Sequence, residues 1–249
     1  MFTRKILFVL LFFITLNAYA QQERWVGTWA CAPQTVDKGF MPYNNQMTNR
    51  SVRQVVKVSI GGPVIRLQLS NEMSSEPVEI TSVYIAKAGE GPEIQKNSVK
   101  YLLFNNKRRV TIAAGKAVFS DALKFDLQPL ERLSITINYF KAPKEPTVHM
   151  GSRTTSYILR GVTNANTDFS TAFKEDHWFN ISAIDVLDAS ASSVAILGNS
   201  ITDGKGCVTN AQDRWPDFMS AVLNGENDSK SPKTGVLNLG IGDNRILSV

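Results

Sequence analysis

Val194-Ala-Ile-Leu-Gly-Asn-Ser-Ile-Thr-Asp-Gly204 is a short apolar run that ends abruptly in glycine and small polar residues. Such a run, bounded by turn signals, reads as a strand buried in a parallel sheet, and its glycines allow a sharp turn at the C-terminal end. In open α/β sheets that end is where ligands bind. Ser200 stands there as a candidate nucleophile, with its hydroxyl free and its N–H facing a crevice. Downstream, Trp215, Phe218, Met219, Val222 and Leu223 recur at helical spacing, which predicts a helix over 214–223 with those side chains on one face. Asp213 is the expected N-cap, Pro216 falls in the first turn, and Asn224-Gly225 ends the helix. Val236–Leu239 then reads as a second strand, giving a β-α-β unit. Gly240-Ile-Gly-Asp-Asn-Arg-Ile-Leu247 begins another strand-to-helix turn.

Upstream the pattern is β from Trp25 to about Asp188. Ser51–Ile60 alternates, with Val52, Gln54, Val56, Val58 and Ile60 on one face and Arg53, Val55, Lys57 and Ser59 on the other. Gly61-Gly62-Pro63 is expected to turn it into a hairpin with Val64–Ser70. Further strands are expected at 78–86, 110–112, 118–127, 133–139, 156–159 and 181–186, with Pro129-Leu130 as a turn. Short strands with turn punctuation and no helical stretch predict an all-β sandwich or jelly roll over 21–188. Small polar residues at 189–193 read as a linker, and 194–249 as the start of an α/β domain.

Arg4 and Lys5, the apolar stretch Ile6–Leu16 and Ala18-Tyr19-Ala20 form a secretory signal peptide over 1–20. The apolar core is too short to span a bilayer comfortably, and no cysteine marks the cleavage site, so an exported chain without a membrane anchor is expected. The net charge of +5 falls to +3 once Arg4 and Lys5 are removed, too little and too dispersed to argue for nucleic acid. Lys107-Arg108-Arg109 reads as a solvated hairpin tip. The two cysteines, Cys31 and Cys207, have no Cys or His neighbour at metal-ligand spacing, so neither a metal nor another cofactor is expected. Whether the two pair is open, with free thiols the favoured reading. Trp25 and Trp29 read as core packing in preference to sugar stacking.

With these residues in hand, the chain resembles the SGNH (GDSL-like) hydrolases of the acylhydrolase and carbohydrate-esterase type. Gly198-Asn-Ser-Ile-Thr-Asp-Gly204 is similar to the family's first block, Arg214-Trp-Pro-Asp217 to the start of its first helix, and Asn238-Leu-Gly-Ile-Gly-Asp-Asn-Arg245 to its second block. Trp25-Val-Gly-Thr-Trp29-Ala-Cys-Ala-Pro-Gln34, Arg53-Gln-Val-Val and Leu69-Ser-Asn71 resemble the accessory β domain that precedes some exported members. The resemblance implies a flavodoxin-like three-layer α/β domain after the β-sandwich. It also implies Ser200 as the nucleophile toward an ester, with an acylated carbohydrate as the substrate class.

By the same resemblance the Ser200 N–H is one oxyanion donor, and the N–H of Asp243, or of Gly242 with a one-residue gap, is the second. Asn199 stands where the family usually has Asp, and it supports the nucleophile turn. Asp203 either hydrogen-bonds that turn or is a solvated turn residue. The family's Gly-x-Asn-Asp and Asp-x-x-His blocks do not occur. The two histidines, His149 and His177, precede Ser200 and read as structural or surface residues of the β region. A serine without an adjacent base is a weak nucleophile. Residues 194–249 also fall short of the roughly 150 residues that such a domain usually needs. The expectation is therefore a C-terminally truncated piece of an exported esterase, inactive by itself. The alternative is a non-catalytic glycan-binding β module with an inert α/β remnant.

Overall fold

The computed structural model describes residues 23–37, 39–44, 46–225, 233–245 and 247. The expected signal peptide lies outside them. The strands are β1 (Trp25–Ala30), β2 (Arg50–Lys57), β3 (Gly62–Asn71), β4 (Val78–Lys87), β5 (Lys100–Leu102), β6 (Val110–Ile112), β7 (Lys116–Phe119) and β8 (Leu123–Leu127). They continue as β9 (Arg132–Lys141), β10 (Val148–His149), β11 (Ser156–Arg160), β12 (Phe173–Glu175), β13 (Trp178–Phe179), β14 (Ile181–Leu187), β15 (Ser192–Gly198) and β16 (Thr234–Gly240). Two α-helices follow β15, α1 (Ser200–Asp203) and α2 (Trp215–Asn224).

Two antiparallel sheets carry most of the chain, consistent with the expected β-sandwich. One runs β1-β14-β3-β7, with β8 also on β3; the other runs β12-β11-β2-β9-β4-β5, with β6 also on β4. They share one core, in which Ile65, Leu67, Leu69, Ile184 and Val186 of the first sheet meet Val52, Val56, Val83, Ile85, Ile135 and Ile137 of the second. Burial of this apolar surface is the main stabilising contribution.

The expected hairpin across Gly61-Gly62-Pro63 does not form. β2 pairs with β9 and β11, whereas β3 pairs with β14, β7 and β8, so the chain crosses between sheets here. Both faces of β2 are covered, which makes it an interior strand with partners on both sides and no room for β3 beside it. Arg53, on the face read as outward, is only 2% exposed. Its guanidinium lies 3.8 Å over the Phe169 ring and donates to Thr136, Tyr84 and the Pro92 carbonyl. Thr28 fastens the crossing, its hydroxyl donating to Ile60 O (2.6 Å) and accepting from Ile60 N (2.9 Å). The expected strand over 118–127 is also divided, because Ser120 leaves the ladder and both accepts from and donates to Leu67, separating β7 from β8.

β15 and β16 are the one parallel pair among the described strands, in register from Ser192↔Thr234 to Gly198↔Gly240, with α1 and α2 in the connection. The strand begins at Ser192, inside the stretch read as a linker. β15 is not the buried strand expected of it. Among the described residues it pairs with β16 alone, and Leu197 is 78% exposed. α2 forms as expected and turns its apolar face outward. Pro216 and Ser220 are buried, while Trp215, Phe218, Val222 and Leu223 are exposed, Val222 by 80%. Small side chains let the helix approach β16, and the bulky stripe faces outward. Its N-cap is Arg214, not Asp213, because the Asp217 carboxylate accepts the Arg214 N–H (3.0 Å).

The parallel pair is packed against β1 of the sandwich. A Cβ on Gly235 would strike the Gly27 carbonyl, so the two backbones meet at a distance only glycine permits. Val236 N donates to Ser59 Oγ (2.9 Å). At the base of the pair, Lys233 bridges to Asp188 (3.0 Å).

Candidate functional site

The turn after β15 is built from its own sequence. Asn199 adopts an extended conformation and its Oδ1 accepts the Ile201 N–H (3.0 Å), capping α1. Ser200 is therefore the first residue of a single helical turn. Gly204, at φ 116°, ends that turn, and Gly204 and Lys205 both donate to Ser200 O. The Ser200 side chain is half-buried, and no protein group among the described residues hydrogen-bonds its Oγ. The Ser200 N–H likewise meets no protein acceptor there.

The second block closes on the first. Ile241 N donates to Gly198 O (3.1 Å), Asn244 Nδ2 reaches the same carbonyl (3.3 Å), and Asn238 Nδ2 donates to Thr202 O (2.8 Å). A Cβ on Gly240 would collide with the Asp203 backbone N. Two segments some forty residues apart thus form one corner at the C-terminal ends of a parallel strand pair. The corner holds an open crevice lined by Leu197, Gly198, Asn199, Thr202, Asn244, Arg245 and Leu247. Ser200 falls just outside that lining. Asp243 is exposed and has φ 60°, the left-handed conformation in which glycine is favoured and Asp is tolerated. Neither its N–H nor that of Gly242 meets a protein acceptor among the described residues.

Asp203 is where sequence reading fell shortest. It is buried, and its Oδ1 lies 2.8 Å from His149 Nε2. His149 belongs to β10, whose partner β13 sets it beside Trp178. The imidazole stacks on that indole at 5.6 Å, and Nδ1 donates to Ala32 O (3.0 Å). Trp29 meets the same indole edge-on at 5.0 Å, so it packs in the core, while Trp25 is half-buried with the Arg66 guanidinium 4.5 Å from its ring. A Cβ on Gly151 would strike Asp203 Oδ2, so the chain after His149 passes directly over this carboxylate.

Arg214 closes the other side. Its guanidinium lies 5.4 Å over Trp178 and donates to Ser152 O, Gln212 Oε1 (3.1 Å) and Asp217 Oδ2 (3.1 Å). The nearby Cys31 thiol is pushed well up, first by burial and then by the Asp203 charge, with Arg214 opposing. Cys31 and Cys207 are both free.

His177 is apart from this cluster, donating Nδ1–H to Met150 O (2.9 Å), with Nε2 3.5 Å from Glu175. The sequence signal that carries the Asp203 contact is the polar stretch His149-Met-Gly-Ser-Arg-Thr-Thr155, which no local pattern links to residue 203. No protein-family model matches the chain, and a search of curated proteins finds no match.

Proposed function

We propose that the chain carries the nucleophile turn of an exported serine acylhydrolase of the SGNH type, one that removes acyl groups from carbohydrate, with Ser200 as the nucleophile. In that reading Ser200 Oγ attacks the ester carbonyl, and the alcohol leaves with the proton taken from Ser200. Water then releases the acyl group as a carboxylic acid. Negative charge on the tetrahedral oxygen is stabilised by the Ser200 N–H and by that of Gly242 or Asp243. The observation that supports this most is the corner itself: a capped serine after a parallel strand, packed against a second turn, with the Ser200 Oγ and the N–H groups of Ser200, Gly242 and Asp243 meeting no protein partner among the described residues. The general base is not His149, whose ring nitrogens are both engaged. The test is ester turnover by the product of the whole reading frame, on p-nitrophenyl acetate and acetylated polysaccharide. Ser200→Ala is expected to lower kcat by at least about 1000-fold; unchanged turnover would refute the assignment.

A second reading, a glycan-binding β module, has one observation in its favour. Tyr43 and Phe173 are exposed with ring centroids 5.1 Å apart, and the Arg50 guanidinium sits 3.6 Å over Tyr43. Tyr43 has φ 54°, a conformation costly for an aromatic residue. Exposed rings stack on sugar faces. Saturable binding to a polysaccharide in affinity gels, abolished by Tyr43→Ala with Phe173→Ala, is expected if this surface acts; equal mobility with and without glycan would exclude it.

A further inference from the structure

The geometry points to His149 as a positioning residue for the Ser200 turn, acting from the sandwich through Asp203. This rests on reading Ser200 as the nucleophile. α1 is one turn long, Ser200 to Asp203, with Asn199 capping its start and Gly204 ending it. A single turn cannot hold its own shape in water, because helix nucleation is unfavourable. Its local cap and stop therefore need backing by contacts from outside the turn.

Asp203 supplies the external hold in three ways. Its backbone N abuts Gly240, and its side chain is buried under Gly151. Its carboxylate is bonded to His149, whose side chain is 4% exposed against 7% for that of Asp203. His149 is in turn fixed at Nδ1 by Ala32 O and on its ring face by Trp178. Since Nδ1 must donate to a carbonyl, Nε2 is the nitrogen left for Asp203, and one proton lies between them whichever group holds it. A buried carboxylate deprived of that proton-bearing partner pulls toward solvent and takes the turn with it. The sandwich is thereby part of the site, because it sets the attitude of the serine that starts the turn.

Two conservative variants separate this role from packing. His149→Asn keeps an amide donor near Ala32 O but falls short of Asp203, whereas His149→Gln extends a donor to about the position of Nε2. Backbone amide exchange and ester turnover of the full-length protein are the two readouts. In His149→Asn, exchange across residues 200–205 is expected to accelerate by about 10- to 100-fold while strands β2 and β9 are unchanged. kcat should fall at unchanged KM, and His149→Gln should recover most of both. Unaltered exchange and kcat in His149→Asn, or equal losses in the Asn and Gln variants, would overturn the proposal. If Ser200→Ala leaves turnover intact, the hydrolase reading fails by itself. The exchange difference between the two His149 variants would still decide whether His149 holds the turn.

Discussion

Gly151→Ala puts a single methyl group against the buried carboxylate that joins the sandwich to the turn after β15. Gly151 is not at positive φ, so the backbone tolerates alanine and the whole cost is steric. The new Cβ strikes Asp203 Oδ2 and lies 2.9 Å from Cγ and 3.1 Å from Oδ1. Asp203 cannot retreat freely, because Gly240 packs against its backbone and His149 holds its carboxylate. Overpacking of this kind costs about 1–3 kcal/mol, here spent in displacing the Asp203 carboxyl from its hydrogen bond to His149. For a chain of this size about 2 kcal/mol lowers the melting temperature by roughly 4–8 °C. Thermal unfolding followed by circular dichroism reads the shift directly. In an Asp203→Ala background the methyl group has room, so the same substitution should cost much less than half as much. A melting temperature within about 1 °C of the native chain, or an equal fall in both backgrounds, would refute the reasoning.

Three further outcomes are expected. Asn199→Ala removes the acceptor of the Ile201 N–H and should cost about 1 kcal/mol; faster exchange of that amide with unchanged exchange in β9 is the measurement that checks it. Burial raises the Asp188 carboxyl, but hydrogen bonds from Ser190 and Lys233 outweigh this and hold it down from 3.8 to about 2. The pair therefore stabilises the fold above pH 3.8, and its contribution is lost as the pH falls toward 2. After solvent screening that contribution is about 1 kcal/mol at pH 6, where Asp188→Asn should abolish it, and the difference between the two chains should shrink as the pH falls through about 2. Finally, a thiol reagent should modify Cys207 in the native chain and Cys31 only after unfolding, since burial raises the Cys31 thiol and hides it. Two thiols reacting at equal speed would contradict the position of Cys31.

Local patterns in the sequence located most of the strands and very little of how they meet. Alternation in 51–60 and 64–70 marked two strands, the first of which ends at Lys57, but alternation is indifferent to whether consecutive strands share a sheet. Here β2 and β3 lie in different sheets, and the Thr28 hydroxyl that fastens the crossing comes from a distant strand. The apolar stripe of α2 was legible as a stripe, but the spacing of Trp215, Phe218 and Val222 does not say which side meets β16. The turn around Ser200 was legible because Asn199 and Gly204 act locally, as cap and as left-handed stop. His149 was not, because its bond to Asp203 spans 54 residues and depends on β10 pairing with β13. Asp243 falls between these cases: its place in the block after β16 was legible, and its left-handed φ was not.

The central claim is that Ser200 is a nucleophile, and covalent labelling tests it most directly. The product of the whole reading frame is treated with an alkyl fluorophosphonate, digested, and mapped by mass spectrometry. The account predicts one phosphonate adduct per chain, on Ser200, lost in Ser200→Ala and weakened in His149→Asn. Adduct formation at another serine, or no adduct in a preparation that hydrolyses esters, would contradict it.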